Sequence, residues 1–88
     1  MSNFSNPVLE IALAMQKELD NNSHKMGWAL CDLNWLLERA EEEIKELRQA
    51  VKKNKSIKRV ISECADVANF MMMFADNYEQ KPRTPKNE

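Results

Sequence analysis

Four acidic side chains stand at spacings that bring them together. Glu43 and Glu46 are three residues apart, and so are Glu63 and Asp66. Positions i and i+3 of a helix share a face, so each pair presents two carboxylates side by side. Between the pairs lies a polar break, Asn54-Lys55-Ser56, too short for anything but an antiparallel return of the chain. Residues equidistant from that turn face each other, which sets Glu46 opposite Glu63 and Glu43 opposite Asp66. The four carboxylates then converge about 13 Å from the turn, at about 1.5 Å of rise per residue. Such a group repels itself unless a cation lies within it. A hard divalent ion that takes oxygen ligands is the natural neutraliser, Mg²⁺ above all, with Mn²⁺ as its substitute.

An acidic run on a helix is ordinarily a solvated face whose charges pair locally. Glu41 and Glu42 fit that description, with Lys45 at i+4 and i+3. The converging residues fit it poorly. Glu43 and Glu46 have no basic residue ahead at i+3 or i+4, and only Arg39, behind Glu43, offers help. Asp66 has no basic neighbour, and its i+3 partner is Asn69. Glu63 alone has a local partner, Arg59.

Glu42-Glu43-x-x-Glu46, sixteen intervening residues and Glu63-x-x-Asp66 resemble the E-E-x-x-E…E-x-x-D signature of MazG-type, all-α nucleoside triphosphate pyrophosphohydrolases. Leu36-Leu37 before the first half, Leu47 after it, and Val67 with an apolar run after Asp66 agree with that pattern. His24-Lys25-Met26-Gly27-Trp28 is similar to a basic-Gly-Trp stretch that precedes the first half in some members. The resemblance spans residues 8 to 78. It implies cleavage of a nucleoside triphosphate between its α and β phosphates, giving a monophosphate and pyrophosphate. It implies Glu43, Glu46, Glu63 and Asp66 as ligands of Mg²⁺, and Glu42 with Glu43 in the catalytic step, Glu42 orienting a ligand or taking the proton of the attacking water. It implies homo-oligomers, dimers or tetramers, with sites near subunit interfaces.

Other residues extend the candidate site. Asn69, one turn beyond Asp66 on the same face, is placed to hydrogen-bond a water or a sugar. His24 and Lys25 with Trp28 form a loop whose cations suit phosphate oxygens and whose indole suits a base. The plainer alternative is that Trp28 plugs the end of the bundle and His24 is simply exposed.

The elements that position these residues are helices. One glycine, and an abundance of Leu, Met, Ala, Glu and Lys, favour helix. Asn6 caps a first helix with Pro7 at its start; Val8, Ala12, Met15 and Leu19 form its apolar stripe, and it ends at the polar cluster Asp20-Asn21-Asn22-Ser23. Asp32 caps a second helix, in which Leu33, Leu37, Ala40, Ile44, Leu47 and Val51 step by fours and threes as a seam, flanked by the acidic pair. Trp35 lies beside that seam, in core or subunit interface. Ser56 caps a third helix with two adjoining apolar stripes: Ile57, Val60, Cys64, Val67, Met71, Phe74 and Tyr78 on one, Ile61, Ala65, Ala68, Met72 and Ala75 on the other. One stripe packs on the second helix; the other needs the first helix or a second subunit. The expectation is an all-α antiparallel bundle of three helices in a single domain, residues 7–80, between a frayed 1–6 and a disordered 81–88.

Thirteen basic against fourteen acidic residues argue against a broad surface for nucleic acid polymer or membrane. With no secretory signal or transmembrane run, Cys31 and Cys64 read as reduced thiols of a cytoplasmic protein. Two Cys and one His cannot complete a four-ligand structural zinc site without carboxylates. A single histidine gives no Ser/His/Asp or Cys/His nucleophile, so direct attack by water is favoured. A di-iron carboxylate bundle would pair Glu-x-x-His, and neither acidic pair is followed by histidine. The remaining alternative is a non-catalytic helical interaction or adaptor module, which explains the seams but not the carboxylates in register.

Overall fold

The computed structural model describes residues 6–21 and 27–80 of the 88. Of the frayed start expected for 1–6, positions 1–5 lie outside those residues, as does the disordered tail expected for 81–88, while Asn6 belongs to a helix. The regular structure is all helical: α1 (Asn6–Asn21), a single 3-10 turn (Trp28–Leu30), α2 (Leu33–Lys52) and α3 (Ile57–Gln80).

Local chemistry sets the helix ends. α1 takes Asn6 into its first turn, followed by Pro7, where a missing N–H costs nothing. Asp32 stays extended and its Oδ2 accepts the Trp35 N–H at 3.2 Å; Ser56 Oγ accepts the Arg59 N–H at 3.1 Å. These are N-caps that satisfy otherwise orphaned donors. α2 closes on Asn54, which adopts a left-handed φ of 58°. The Lys55 N–H donates to Ala50 O at 2.9 Å and the Asn54 N–H to Val51 O at 3.1 Å. This double closure is a Schellman motif with Asn in the position usually held by Gly. It fixes the short reversal between α2 and α3.

α3 is the middle helix. It packs on both α2 and α1, which do not meet each other among the described residues. The 3-10 turn is tied to its C-terminal end. Trp28 Nε1 donates to Asp76 Oδ2 at 2.9 Å, and the buried Asn77 donates through Nδ2 to the carbonyls of Trp28, at 2.6 Å, and Cys31, at 3.1 Å.

The faces that meet keep only part of the expected seams: Leu33, Ala40 and Leu47 on α2 and members such as Ala65 on α3 are buried or half-buried, and others are exposed. On α2 the buried residues are Leu36, Ala40, Glu43 and Ala50, whereas Leu37, Ile44 and Val51 are exposed. The helix is turned so that Glu43 lies in the packed face and not beside it. On α3, Ala65 is buried with Glu63, Asn69 and Asn77, while Ile57, Ile61, Met71 and Tyr78 remain exposed. Small side chains explain the choice. Ala40, Ala50 and Ala65 let the helices approach closely, and the larger apolar residues on the neighbouring faces are left outside. Two adjoining apolar stripes cannot both be buried by one hairpin.

Leu36 is wholly buried, so truncating it removes packed apolar surface and leaves a cavity. Leu36→Ala should therefore lower the unfolding free energy by about 2–5 kcal/mol, measured by urea denaturation. Leu30→Ala, at a side chain 79 % exposed, should change it by less than about 0.5 kcal/mol.

Candidate metal centre

The facing helices bring three carboxylates together. One oxygen each of Glu43, Glu63 and Asp66 lies within 4.8 Å of the others, with the two glutamates buried and the aspartate half-buried. Two full charges that far apart repel by about 3–4 kcal/mol at an effective dielectric of about 20. Three bare carboxylates therefore need protons or cations.

Each has a different device. Glu43 Oε2 accepts from Arg39 Nη2 at 2.9 Å, and Glu63 Oε2 accepts from Arg59 Nε at 2.8 Å. Asp66 makes no ion pair among the described residues, and its carboxyl is pushed up to about 7, by burial first and then by the charges of Glu18, Glu43, Glu63 and Glu46. Burial likewise raises Glu43, with Glu46 adding to the shift and Arg39 opposing it. Glu63 Oε1 is buried and has no hydrogen-bond partner. A buried carboxylate oxygen without a donor is costly, and a cation within the triad would satisfy it. The donor set, all oxygen, suits Mg²⁺ or Mn²⁺.

Glu43 and Asp66 of the triad, but not Glu63, border a cavity of about 380 Å³ whose wall also includes Glu18, Arg39, Glu46 and Asn69, with Phe70 and Met73 on the apolar side. That volume lies within the range of small-molecule sites, about 300–1,000 Å³. Glu46 lines the cavity from an exposed position and does not join the triad. Asn69 is buried, its Nδ2 donates to Met15 O of α1 at 3.1 Å, and its Oδ1 has no partner. The residue thus ties α1 over the site and keeps an acceptor in reserve.

Glu42 is exposed and pairs with Arg39, not with Lys45. Lys45 makes no ion pair among the described residues. Trp28 is not in the cavity wall: its indole is held at Asp76, about 15 Å along α3 from Asp66 at 1.5 Å per residue. His24 and Lys25 lie outside the described residues.

Two polar wall residues go beyond the expected site: Glu18, which the sequence did not single out, and Arg39, expected only as a local partner of Glu43. Arg39 is shared between Glu42 and Glu43 and lies over the Phe70 ring, 5.4 Å from its centroid. Its spacing to Glu43 was the available signal. Glu18 comes from α1 and accepts from Ser62 Oγ at 2.7 Å. It stands three residues after Met15, an acid at the edge of an apolar stripe, and that anomaly was the clue.

The raised Asp66 carboxyl has a consequence for stability. Its folded value of about 7 exceeds the ordinary 3.8, so between those two values the folded chain holds more protons than the unfolded one. Stability from this group is intact below about pH 4, falls as pH rises toward 7, and then levels off. In EDTA, Asp66→Asn should melt several degrees above the parent chain at pH 7.5. The difference should shrink to nothing near pH 4, measured by thermal circular dichroism.

No family model, curated protein or solved structure matches the chain significantly.

Proposed function

We propose that the chain is a Mg²⁺-dependent nucleoside triphosphate pyrophosphohydrolase, which opens the α–β phosphate bridge to release a nucleoside monophosphate and pyrophosphate. The observation that carries this reading is the triad Glu43, Glu63 and Asp66 between facing helices, with Glu63 Oε1 buried and unpartnered. The similarity of the E-E-x-x-E and E-x-x-D segments to the MazG-type signature supports the reaction and the choice of bond.

In this reading Glu43, Glu63 and Asp66 hold the ion and Glu46 completes the set from the rim. When bound, Mg²⁺ screens the triphosphate charge and lowers the pKa of the attacking water. The water oxygen joins the α phosphorus, its proton passes to a carboxylate, and the bridging oxygen departs with pyrophosphate, leaving the monophosphate. Glu42, at the exposed rim on the same guanidinium as Glu43, is the candidate base. Arg39, over the Phe70 ring, is a cation at the cavity wall that can turn from carboxylate to phosphate oxygen. Asn69 Oδ1 offers an acceptor to a sugar hydroxyl or a water. His24, Lys25 and Trp28 stay as candidates for base and phosphate contacts.

The exposed side chains Leu37, Ile44 and Val51 on α2, with Ile57 and Met71 on α3, support homo-oligomerisation into a dimer or tetramer. They equally suit a helical adaptor, the second reading, but an adaptor gives no reason for an unpartnered carboxylate oxygen inside a triad. None of the described helices is long and apolar enough to cross a membrane, and the reading places the enzyme in the cytoplasm.

Incubation with ribo- and deoxyribonucleoside triphosphates and Mg²⁺ should yield monophosphate and pyrophosphate. Glu43→Gln should reduce turnover by at least about a hundredfold. Diphosphate and phosphate as products would place the cleavage elsewhere, and no turnover together with no stoichiometric Mg²⁺ or Mn²⁺ binding would favour the adaptor. Light scattering at micromolar concentration should give twice or four times the chain mass of 10.3 kDa; a monomer would remove the oligomer from the proposal.

A further inference from the structure

The chain's charge is unevenly placed. Positions 45 to 59 hold seven Lys and Arg and one acid, Glu46, although the whole chain carries thirteen and fourteen. The α2–α3 reversal folds part of this run into a groove of about 270 Å³, lined by Lys45, Lys53, Lys55 and Arg59 together with Glu46 and Gln49. The three lysines make no ion pair among the described residues. Arg59 gives its Nε to Glu63, and its two terminal nitrogens have no partner among the described residues. Three lysines, with Arg59 partly committed to Glu63, outweigh the one lining carboxylate, and the excess positive charge favours an anion.

The groove is also built. Lys53 and Lys55 flank Asn54 in the Schellman closure, whose backbone bonds fix where both side chains leave the chain. Arg59 is fixed by its bond to Glu63. The N-terminus of α3 begins at Ile57, and its partial positive charge adds to the same field.

One residue joins the groove to the carboxylate cavity, and a second ties the groove to the triad. Glu46 lines both spaces, and Arg59 lines the groove while bonding a member of the triad. The two spaces have opposite sign and share a wall. A ligand that presents a metal-coordinating phosphate to one and further negative charge to the other fits the pair.

We propose that the groove of Lys45, Lys53, Lys55 and Arg59 is a subsite for a condensed phosphate, the pyrophosphate end of the substrate whose inner phosphate meets the triad. This rests on the pyrophosphohydrolase reading for its place in the reaction, but the binding itself does not. Lysine ammonium groups supply mobile point charges and Arg59 a fixed fork, and both favour a dense polyanion over a singly charged one.

The test is a titration of the full chain with inorganic pyrophosphate in EDTA, followed by amide chemical shifts. Saturable shifts at residues 53–59 are expected, at one site per chain and with sulfate binding more weakly. The double substitution Lys53→Gln and Lys55→Gln should weaken binding about tenfold or more, whereas Glu43→Gln should leave it in place. Absence of saturable shifts, equal affinity in the lysine variant, or tighter binding of a short single-stranded oligonucleotide at the same amides would overturn the subsite. Because neither metal nor turnover enters the measurement, an active enzyme that fails it has lost only the subsite. An inactive chain that passes it keeps the anion site and loses the reaction.

Discussion

Mutual repulsion of three carboxylates is the constraint on which the rest of this small bundle depends. Placing Glu43, Glu63 and Asp66 within 4.8 Å costs more than a surface ion pair returns, since such pairs contribute about 0–1 kcal/mol. The fold meets that cost three ways: a guanidinium on Glu43, a second on Glu63 and a carboxyl on Asp66 that keeps its proton up to about pH 7. The arrangement is neutralised but not satisfied, because Glu63 Oε1 has no donor. A chain selected for stability alone would fill this position with apolar side chains, which commonly match or exceed a buried ionic group.

The neutralising groups are held by the same elements that create the problem. Arg39 and Arg59 each sit four residues before the glutamate they pair, so each helix carries its own counter-charge. Phe70 supports Arg39 from below, and Trp35 meets Phe70 edge-on with centroids 6.5 Å apart. α1 closes the third side through two polar bonds, Ser62 to Glu18 and Asn69 to Met15 O. The interior of the bundle near the site is therefore polar, and the alanines at the helix contact make that possible by bringing the backbones close. The larger apolar residues are displaced to the outside, where Leu37, Ile44, Val51 and Ile57 are exposed.

That displacement explains what the sequence did and did not reveal. The helices, their caps at Asp32 and Ser56, and the reversal between the acidic pairs follow from local signals, and the structure has them. Equidistance from the turn brought Glu43, Glu63 and Asp66 together because a tight hairpin leaves little freedom of register. Rotation about each helix axis was not legible. A period of three and four finds the largest apolar residues, but the packed face is chosen by fit between neighbours. Here that fit belongs to Ala40, Ala50 and Ala65, which periodicity weights lightly. Glu18 was hidden for a different reason: its contact spans forty-four residues, and no short motif reaches that far.

A net charge of −1 concealed the other half of the electrostatics. Averaged over the chain, acids and bases cancel, and a broad polyanion surface looks excluded. In the fold they separate, acids into the cavity between the helices and bases around the turn, with Glu46 on the boundary. The separation follows from sequence order, because the acidic pairs lie about two to three turns from the reversal and the lysines lie at it. A hairpin converts position along the chain into distance from the turn, so two blocks of opposite charge become two adjoining spaces of opposite field. Neither space is neutral alone. On the proposed reading a metal ion would meet the charge of the first and a phosphate chain that of the second, so that one metal-bound polyphosphate would address both.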